Sequence, residues 1–323
     1  MRVVRIREFG PPQVLRAEQA EEPEPSAGQV AVAVEVSGVA FGDTIVRSGR
    51  YPVPLPYVPG LEVGGRVAAV GPGVDPALAG RCVVATTSGN RGGYAERALA
   101  EIGAVHEVPP GLPLDRAVAV FNAGSFAAGL LAAVAAQPGD SVLITAAAGR
   151  IGTLLVQLAA AAGARVIGAV GGERKLAAAR EAGAEIAVDY TAPDWVERVE
   201  AATDGRGVQV ALDAIAGGVR DQALATLAAG TGRIGVYGFT GGGSTAIDAS
   251  YVGRRGLTVI GAAGKTFTRS EAEERAAVGA ALDAAAAGLL RPTIHAVYPL
   301  EDAASAHAEL EERRTIGAVQ LAV

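Results

Sequence analysis

Cysteine and aromatic residues are scarce in this sequence. Cys82 is its single cysteine, which excludes an internal disulfide and any metal site built from a cysteine cluster. Phe, Trp and Tyr together make up 4% of the chain, whereas 44 residues are glycine. The core must therefore be built mainly from Ala, Val, Leu and Ile, around close backbone contacts.

A surplus of positive charge is also missing. The formal net charge is −6 and the pI is near 5.3, so no basic surface indicates binding to nucleic acid or an anionic membrane. The first residues, MRVVRIREFG, alternate like a strand and lack the apolar centre of a signal peptide. An uncharged stretch at 117–136 contains Asn122, Ser125 and two glycines, which predicts a buried helix and not a membrane span. We expect a cytoplasmic protein, and its 323 residues suit two domains.

The sequence pattern that most clearly indicates ligand binding lies at residues 141–170. A short apolar run ends in small residues, a helical apolar pattern follows, and a second β-branched run begins after Gly163. This order of strand, turn, helix and strand places a diphosphate at a helix N-terminus. The window 147–152 keeps the middle and last glycines of the Gly-x-Gly-x-x-Gly fingerprint. Dinucleotide binding is therefore predicted, with these residues at the diphosphate: Ala147, Gly149, Arg150, Ile151 and Gly152.

The end of the second predicted strand indicates which dinucleotide binds. An acidic residue near position 170 would bond a ribose 2′-hydroxyl and select NAD, but Val170 stands there. Gly171 and Gly172 leave room, and Arg174 and Lys175 follow. Cations attract a 2′-phosphate, so NADP(H) is the predicted cofactor. The alternative is that both cations merely begin a solvated helix.

Two kinds of pattern divide the chain. Up to about residue 115, short strand signals separated by Gly and Pro turns indicate a barrel-like β domain. From about residue 119, six predicted strands alternate with Ala-rich helices, which indicates a doubly wound parallel sheet. The tail, from about residue 266, is expected to return to the first domain. The loop 39–60 carries four prolines, which predicts irregular structure, and its polar and aromatic residues are candidates for an active-site wall.

Five segments stand in a specific order along the chain: FGDTIVRSGRYP at 41–52, VPGLEVGGRVAAVGPGV at 58–74, AAAGRIGTLLVQLA at 146–159, GAEIAVDY at 183–190 and LEERRTIGAVQL at 310–321. Together they resemble the zinc-independent quinone oxidoreductase branch of the medium-chain dehydrogenase/reductase superfamily. The resemblance implies an α/β fold with a GroES-like β-barrel catalytic domain at 1–118 and 266–323. It implies a Rossmann NADP(H)-binding domain at 119–265, with a doubly wound parallel six-stranded sheet.

The resemblance also implies roles for residues in the cofactor site. Lys175, Tyr190 and Arg313 are expected to gather at the 2′-phosphate, beside the room left by Gly171. Gly238 and Phe239, in the loop after the fifth strand, are expected to face the nicotinamide.

Departures from the family pattern bear on metal and on catalysis. Zinc-dependent relatives carry a Cys where Ala40 stands and a His where Leu61 stands, so no metal is expected. Within the quinone oxidoreductase branch, an Asn and a Tyr of the loop are here Ala40 and Ile45, and a Thr common near the nicotinamide is Phe126. The residues that remain as catalytic candidates are Asp43, Arg47 and Tyr51. Alternatively, Arg47 is a structural ion-pair partner of Asp43.

The expected reaction is hydride transfer from NADPH to a small quinone or to the β-carbon of an α,β-unsaturated carbonyl. The cofactor supplies the hydride, and the protein supplies orientation and a donor for the developing oxyanion, such as a backbone N–H or Tyr51. An enoyl reductase for a thioester or a biosynthetic intermediate is the first alternative. A non-catalytic NADPH-binding scaffold is the second, suggested by the missing Asn and Tyr.

The predicted sixth strand, at 257–261, concerns assembly. It is apolar and contains no proline or charge, so an unpaired edge there would be a liability. The resemblance implies that it pairs with the same strand of a second subunit in a homodimer. The alternative is that the tail helix at 271–287 covers it.

Overall fold

The computed structural model describes residues 1–242 and 246–323. The chain divides into two compact units, one of residues 1–122 with 275–323 and one of residues 123–274. We call the first the β-rich unit and the second the α/β unit.

The N-terminal part of the β-rich unit consists of short strands and one helix. These elements are β1 (Arg2–Arg5), β2 (Arg16–Gln19), β3 (Gln29–Val39), α1 (Phe41–Arg47), β4 (Glu62–Val70), β5 (Cys82–Thr86), β6 (Arg97–Glu101) and β7 (Val105–Glu107). β1 and β2 form an antiparallel pair, and β3 pairs antiparallel with both β4 and β6. β5 pairs with β4, and β7 with β5.

Valines form the core of this sheet. Val30 and Val32 on β3 and Val63 and Val83 on the neighbouring strands are fully buried in one cluster. Their branched side chains suit a pleated, half-buried surface. The core is thus aliphatic, as the low aromatic content predicted.

Helix α1 shows that one expectation was wrong. The prolines of 39–60 predicted irregular structure throughout, yet Phe41–Arg47 is helical. All four prolines lie at 52–59, after the helix has ended. Asp43 accepts a hydrogen bond from the Ala40 N–H at 2.9 Å, so it caps the helix start although position 40 has no side-chain oxygen.

The α/β unit alternates strands and helices. Its elements, the first of which begins before residue 123, are α2 (Leu114–Ala133), β8 (Ser141–Thr145), α3 (Arg150–Ala161), β9 (Arg165–Val170), α4 (Leu176–Glu181), β10 (Ile186–Asp189), α5 (Trp195–Ala202), β11 (Val210–Asp213), α6 (Gly217–Ala225), β12 (Arg233–Val236), α7 (Ala249–Arg255), β13 (Thr258–Gly261) and α8 (Ala262–Phe267). The strand order is β10-β9-β8-β11-β12-β13, and every pair is parallel. The predicted doubly wound six-stranded sheet is confirmed. Because the order reverses between β8 and β11, ligands are expected at the carboxyl ends of these two strands.

The uncharged stretch is helix α2, as predicted. Among the described residues it is the one helix long and apolar enough to cross a membrane, with a mean hydropathy of 1.4 and 56% of its apolar window buried. Val120 and Leu130 are fully buried. Such burial is typical of a core helix.

The tail supplies α9 (Glu271–Ala286), β14 (Ile294–Pro299), α10 (Ala303–Glu311) and β15 (Ala318–Ala322). β15 pairs antiparallel with β3 and parallel with β14. Both tail strands therefore belong to the sheet of the β-rich unit.

Candidate cofactor site and active-site loop

The turn after β8 is shaped by close contact with the start of α3. Ala146 has a positive φ of 51°, and a Cβ added at Gly152 would lie 2.0 Å from the Ala146 carbonyl oxygen. Only glycine fits at this position of the helix. The first-turn N–H groups of α3 and the positive end of its dipole therefore form a site for an anion at the carboxyl edge of the sheet.

The other fingerprint residues have distinct places in the turn. Ala147 is buried, and its N–H donates to the Ala169 carbonyl at 3.1 Å, which continues the pairing of β8 with β9. Gly149 precedes α3. Arg150 and Ile151 begin the helix and are partly exposed. The fingerprint residues thus meet at one turn, and their contact with a diphosphate stays a prediction.

A buried polar pair, missed by the sequence analysis, joins β8 to β11 beside this turn. The Thr145 hydroxyl donates to Asp213 Oδ1 at 2.8 Å and accepts the Ala214 N–H at 3.0 Å. Asp213 also accepts the N–H groups of Ile215 and Ala216 at 3.1 and 3.0 Å. Both side chains are 0% exposed. The pair fixes the two strand ends between which a ligand is expected.

The ends of β9 and β10 come together as the NADP(H) prediction requires. A Cβ at Gly171 would lie 2.6 Å from the Tyr190 hydroxyl, so the two residues are in contact. Lys175 ends a short helical turn that follows β9. Arg313 follows α10 in the β-rich unit, with a φ of 55°, and its place at a 2′-phosphate stays a prediction.

Asp189 is an acidic residue at this end of the sheet, but its carboxylate is held by the backbone. Its Oδ1 accepts the N–H groups of Gly172 and Thr191, both at 2.9 Å, and the Thr191 hydroxyl at 2.7 Å. Partial burial opposes ionisation, but these bonds outweigh it and lower the pKa of Asp189. The carboxylate thus shapes the Gly171–Gly172 turn.

Three aromatic rings meet at the carboxyl end of β12. Tyr237 directly follows this strand, and its N–H donates to the Asp213 carbonyl at 2.9 Å. The Phe126 ring contacts Tyr237 edge to face, with centroids 6.3 Å apart, and stacks on Phe267 at 5.3 Å. Gly238 and Phe239 continue the loop, and Phe239 is 59% exposed. The contact of this loop with a nicotinamide stays a prediction.

Asp43 and Arg47 lie on α1 and are buried. Asp43 Oδ2 accepts the Ala40 N–H at 2.9 Å, and Oδ1 accepts the Gly60 N–H at 3.4 Å. One carboxylate therefore links the two ends of the segment 39–60. Burial raises the pKa of Asp43 to about 6. Arg47 donates to the Gly10 carbonyl at 2.8 Å and pairs with Glu311. The suggested ion pair between Arg47 and Asp43 is therefore not the one that Arg47 forms.

Tyr51, the third catalytic candidate, is 66% exposed. It lies beyond α1, in the segment that contains the prolines. The structure thus places one candidate at the surface of the β-rich unit and holds the other two in its interior.

Tyr94 and His307 extend the Asp43 network and were also missed. The Tyr94 hydroxyl donates to Asp43 Oδ2 at 3.3 Å and lies 3.0 Å from His307 Nε2. Because the single hydroxyl proton is used on Asp43, we infer that His307 Nε2–H donates to Tyr94. Burial, together with the charge of Arg47, lowers the pKa of His307 to about 3, so the ring is neutral at pH 7. The network therefore runs from His307 through Tyr94 to Asp43.

The described residues contain no group of three or more His, Cys, Asp or Glu side chains placed to hold a metal ion. Ala40 and Leu61 stand in the positions where zinc-dependent relatives were expected to carry ligands. Neither side chain can coordinate zinc.

A parallel sheet with a glycine turn at its switch point in one unit, and a β-rich sheet completed by the tail strands in the other, are features of a two-unit, dinucleotide-dependent oxidoreductase. Two family models agree with this class. The model described as "Alcohol dehydrogenase GroES-like domain" matches residues 26–110, and "Zinc-binding dehydrogenase" matches residues 151–281.

Relatives narrow the class. Quinone oxidoreductase 1 of Escherichia coli strain K12 is 31% identical over 329 residues, covering 97% of each chain. A 2-haloacrylate reductase of a Burkholderia species is 32% identical, covering 98% of this chain and 97% of its own. A mycobacterial protein solved in complex with NADPH is 33% identical, with a TM-score of 0.92 and full coverage of both chains. This chain belongs to the quinone oxidoreductase branch of the medium-chain dehydrogenase/reductase superfamily.

The cofactor follows from the family and fits the structure. The predicted NADP(H) is confirmed by the NADPH complexes of structural relatives. The Gly152 contact and the anion site at α3 suit a diphosphate. The chain is therefore an NADPH-dependent oxidoreductase.

Proposed function

We propose that the protein reduces quinones or α,β-unsaturated carbonyl compounds with NADPH, without a metal ion. The observation that carries the proposal is the carboxyl edge of the α/β sheet. It joins the glycine turn, the Gly171–Tyr190 contact and the cluster of Phe126, Tyr237 and Phe267.

The reaction requires that the reactants be oriented and that a proton be supplied, and it needs little else from the protein. NADPH, when bound, supplies a hydride, and a proton from solvent completes the product, which is a hydroquinone or a saturated carbonyl compound. Tyr51 is the proposed donor to the developing oxyanion because its side chain is exposed. Asp43 and Arg47 are proposed to act indirectly, since their bonds hold the backbone around α1.

The metal-free part of the proposal is supported by Ala40 and Leu61, which replace the expected zinc ligands. We expect full NADPH oxidation activity after dialysis against a metal chelator. An activity that falls on dialysis and returns with zinc would contradict this part.

Purified protein should be assayed for NADPH oxidation with a simple quinone, an α,β-unsaturated ketone and an enoyl thioester. Turnover of either of the first two supports the proposal, and Tyr51→Phe should then lower kcat while leaving NADPH affinity unchanged. Turnover of the thioester alone would favour the enoyl reductase. Tight NADPH binding without turnover of any acceptor would favour the scaffold, which the residues Ala40 and Ile45 suggested.

The name of the Burkholderia relative supports the second acceptor class. A 2-haloacrylate contains a carbon–carbon double bond conjugated to a carboxylate. We therefore include a halogenated acrylate among the acceptors in the assay, beside the ketone.

We propose that the protein is a cytoplasmic homodimer joined along β13. This strand is last in the sheet order, and Val259 on it is 39% exposed, so the tail helix does not shield this side chain. Light scattering at micromolar concentration should give about twice the 32.3 kDa of one chain. Val259→Pro should halve that mass in a folded protein, whereas Val259→Thr, which keeps the backbone N–H, should not. A wild-type mass of one chain would contradict the dimer.

A further inference from the structure

The hydroxyl of Tyr237 is an unusual polar group in this structure. Its oxygen is buried, and it has no hydrogen-bond partner among residues 1–242 and 246–323. A buried donor without an acceptor destabilises the folded state, so each such group in a native protein calls for an explanation. Within the described ranges, the Tyr237 hydroxyl therefore has no acceptor for its proton.

Neighbouring groups do not supply the missing acceptor. Asp213 is close, but its carboxylate already accepts bonds from Thr145, Ile215 and Ala216. Burial raises the pKa of Tyr237 well above its ordinary value, and the nearby Asp213 and Tyr190 add to the rise. The group thus keeps its proton at any physiological pH and can act only as a neutral donor or acceptor.

The ring that carries this hydroxyl is fixed in place. The Tyr237 backbone N–H donates to the Asp213 carbonyl. The Tyr237 ring contacts the Phe126 ring edge to face, and the Phe126 ring stacks on Phe267. The hydroxyl is therefore held at the carboxyl end of β12, next to β11, one of the two strands that flank the switch point. Since no acceptor is found in the part of the chain that the structure describes, a ligand at the switch point is the expected acceptor of its bond.

We propose that the Tyr237 hydroxyl donates a hydrogen bond to an oxygen of the bound dinucleotide, in the part that NADPH and NADH share. The shared part is indicated by Asp213, which lies close to the Tyr237 hydroxyl. Asp213 is bonded to Thr145 at the end of β8, directly before the turn predicted to hold the diphosphate, which both cofactors contain. The bond contributes to affinity for both cofactors and does not select between them.

The test is Tyr237→Phe, which removes one oxygen and keeps the ring contacts. The dissociation constants of NADPH and NADH should both rise, by roughly 2- to 12-fold, the effect of one neutral hydrogen bond. In the absence of cofactor, the variant should resist urea better than the wild type, because an unpartnered buried hydroxyl is gone. Loss of affinity with a gain of stability is the expected signature.

Tyr251→Phe is the matched control in the same unit. The Tyr251 hydroxyl accepts a bond from Arg255 at 2.8 Å, so its removal should lower stability slightly and leave both dissociation constants unchanged. For Tyr237→Phe, unchanged affinities would overturn the proposal, and so would a weakening confined to NADPH. These measurements require no hydride acceptor, so they test the Tyr237 hydrogen bond whether or not the protein reduces a quinone or an enone.

Discussion

Each unit contains a buried aspartate in a polar network, and the two networks differ in kind. Asp213 in the α/β unit accepts three bonds of 2.8 to 3.1 Å, two of them from N–H groups two and three residues ahead in the chain. Asp43 in the β-rich unit accepts one bond of 2.9 Å and two longer ones, at 3.3 and 3.4 Å. Its pKa is raised to about 6 by burial. The two buried carboxylates thus differ in how closely their hydrogen-bond donors approach.

The two networks hold different parts of the molecule. The Asp213 network fixes strand ends at the expected cofactor position, with every partner at short range. The Asp43 network joins Ala40 to Gly60 and, through Tyr94, reaches His307. We therefore expect substitutions in the first network to affect cofactor binding as well as stability, and those in the second to affect stability without weakening cofactor binding.

The largest expected effect is at Asp213. In Asp213→Asn, either amide orientation points an NH₂ group at a backbone N–H, because both carboxylate oxygens accept bonds. The free energy of unfolding should fall by about 3 kcal/mol, and NADPH affinity should fall with it. Urea unfolding and NADPH titration measure both. The matched Asp43→Asn can turn its NH₂ toward the 3.4 Å contact, so it should cost less at pH 7; an equal cost would remove the contrast between the networks.

Lys175→Ala tests cofactor binding by the α/β unit. A charge-assisted bond to the 2′-phosphate contributes about 1.5–3 kcal/mol, so NADPH affinity should fall by that amount while NADH affinity changes little. Fluorescence titration with each cofactor gives both constants. Equal losses for NADPH and NADH would show that Lys175 does not bind the 2′-phosphate.

The pH dependence of stability tests the β-rich network. His307 has its pKa lowered from 6.5 to about 3, so its contribution is present above pH 6.5 and is lost as pH falls toward 3. Asp43 has its pKa raised from 3.8 to about 6, so its contribution is present below 3.8 and is lost as pH rises through 6. The two oppose each other between pH 4 and 6, each with a slope of up to about 1.4 kcal/mol per pH unit.

Single variants should separate these slopes. Relative to the wild type, Asp43→Asn should lose stability as pH falls from 6 to 4, and His307→Gln should gain it over the same range. Arg47 and Glu62 are the other charged groups near this pair, and they are unchanged in both variants. Parallel pH profiles for the wild type and both variants, from urea unfolding, would contradict the assignment.

The smallest expected effect is at Arg150, the first residue of α3. A charge contact with the diphosphate should make Arg150→Gly raise the dissociation constant of NADPH, and more so at low salt, by less than about 1 kcal/mol. An affinity that matches the wild type across a salt titration would mean that Arg150 points into solvent.

Local patterns predicted the α/β unit well. Buried strand runs and the glycine turn are set by residues close in sequence, and the doubly wound parallel sheet of six strands followed from them. Helix α1 was missed because prolines at 52–59 were taken to affect residues before them, although proline restricts only its own position and its immediate predecessor. Thr145 with Asp213 and Tyr94 with His307 were out of reach, since their partners are 68 and 213 positions away in the chain. Polar contacts over such distances leave no periodic signal.

The position of β15 between β14 and β3 has a consequence for biosynthesis. The α/β unit is continuous in sequence, so the ribosome delivers all six of its strands before the tail appears. The sheet of the β-rich unit lacks β15 until residues 318–322 have been made, and until then residues 36–39 of β3 lack the strand that pairs with them, whereas residues 29–33 pair with β6. Strands β3 to β7 are therefore translated before the α/β unit, yet their sheet is completed after it, which reverses the usual N-terminal-first order of domain folding. During synthesis, the nascent chain would offer β3 as a site for holding chaperones or for mispairing.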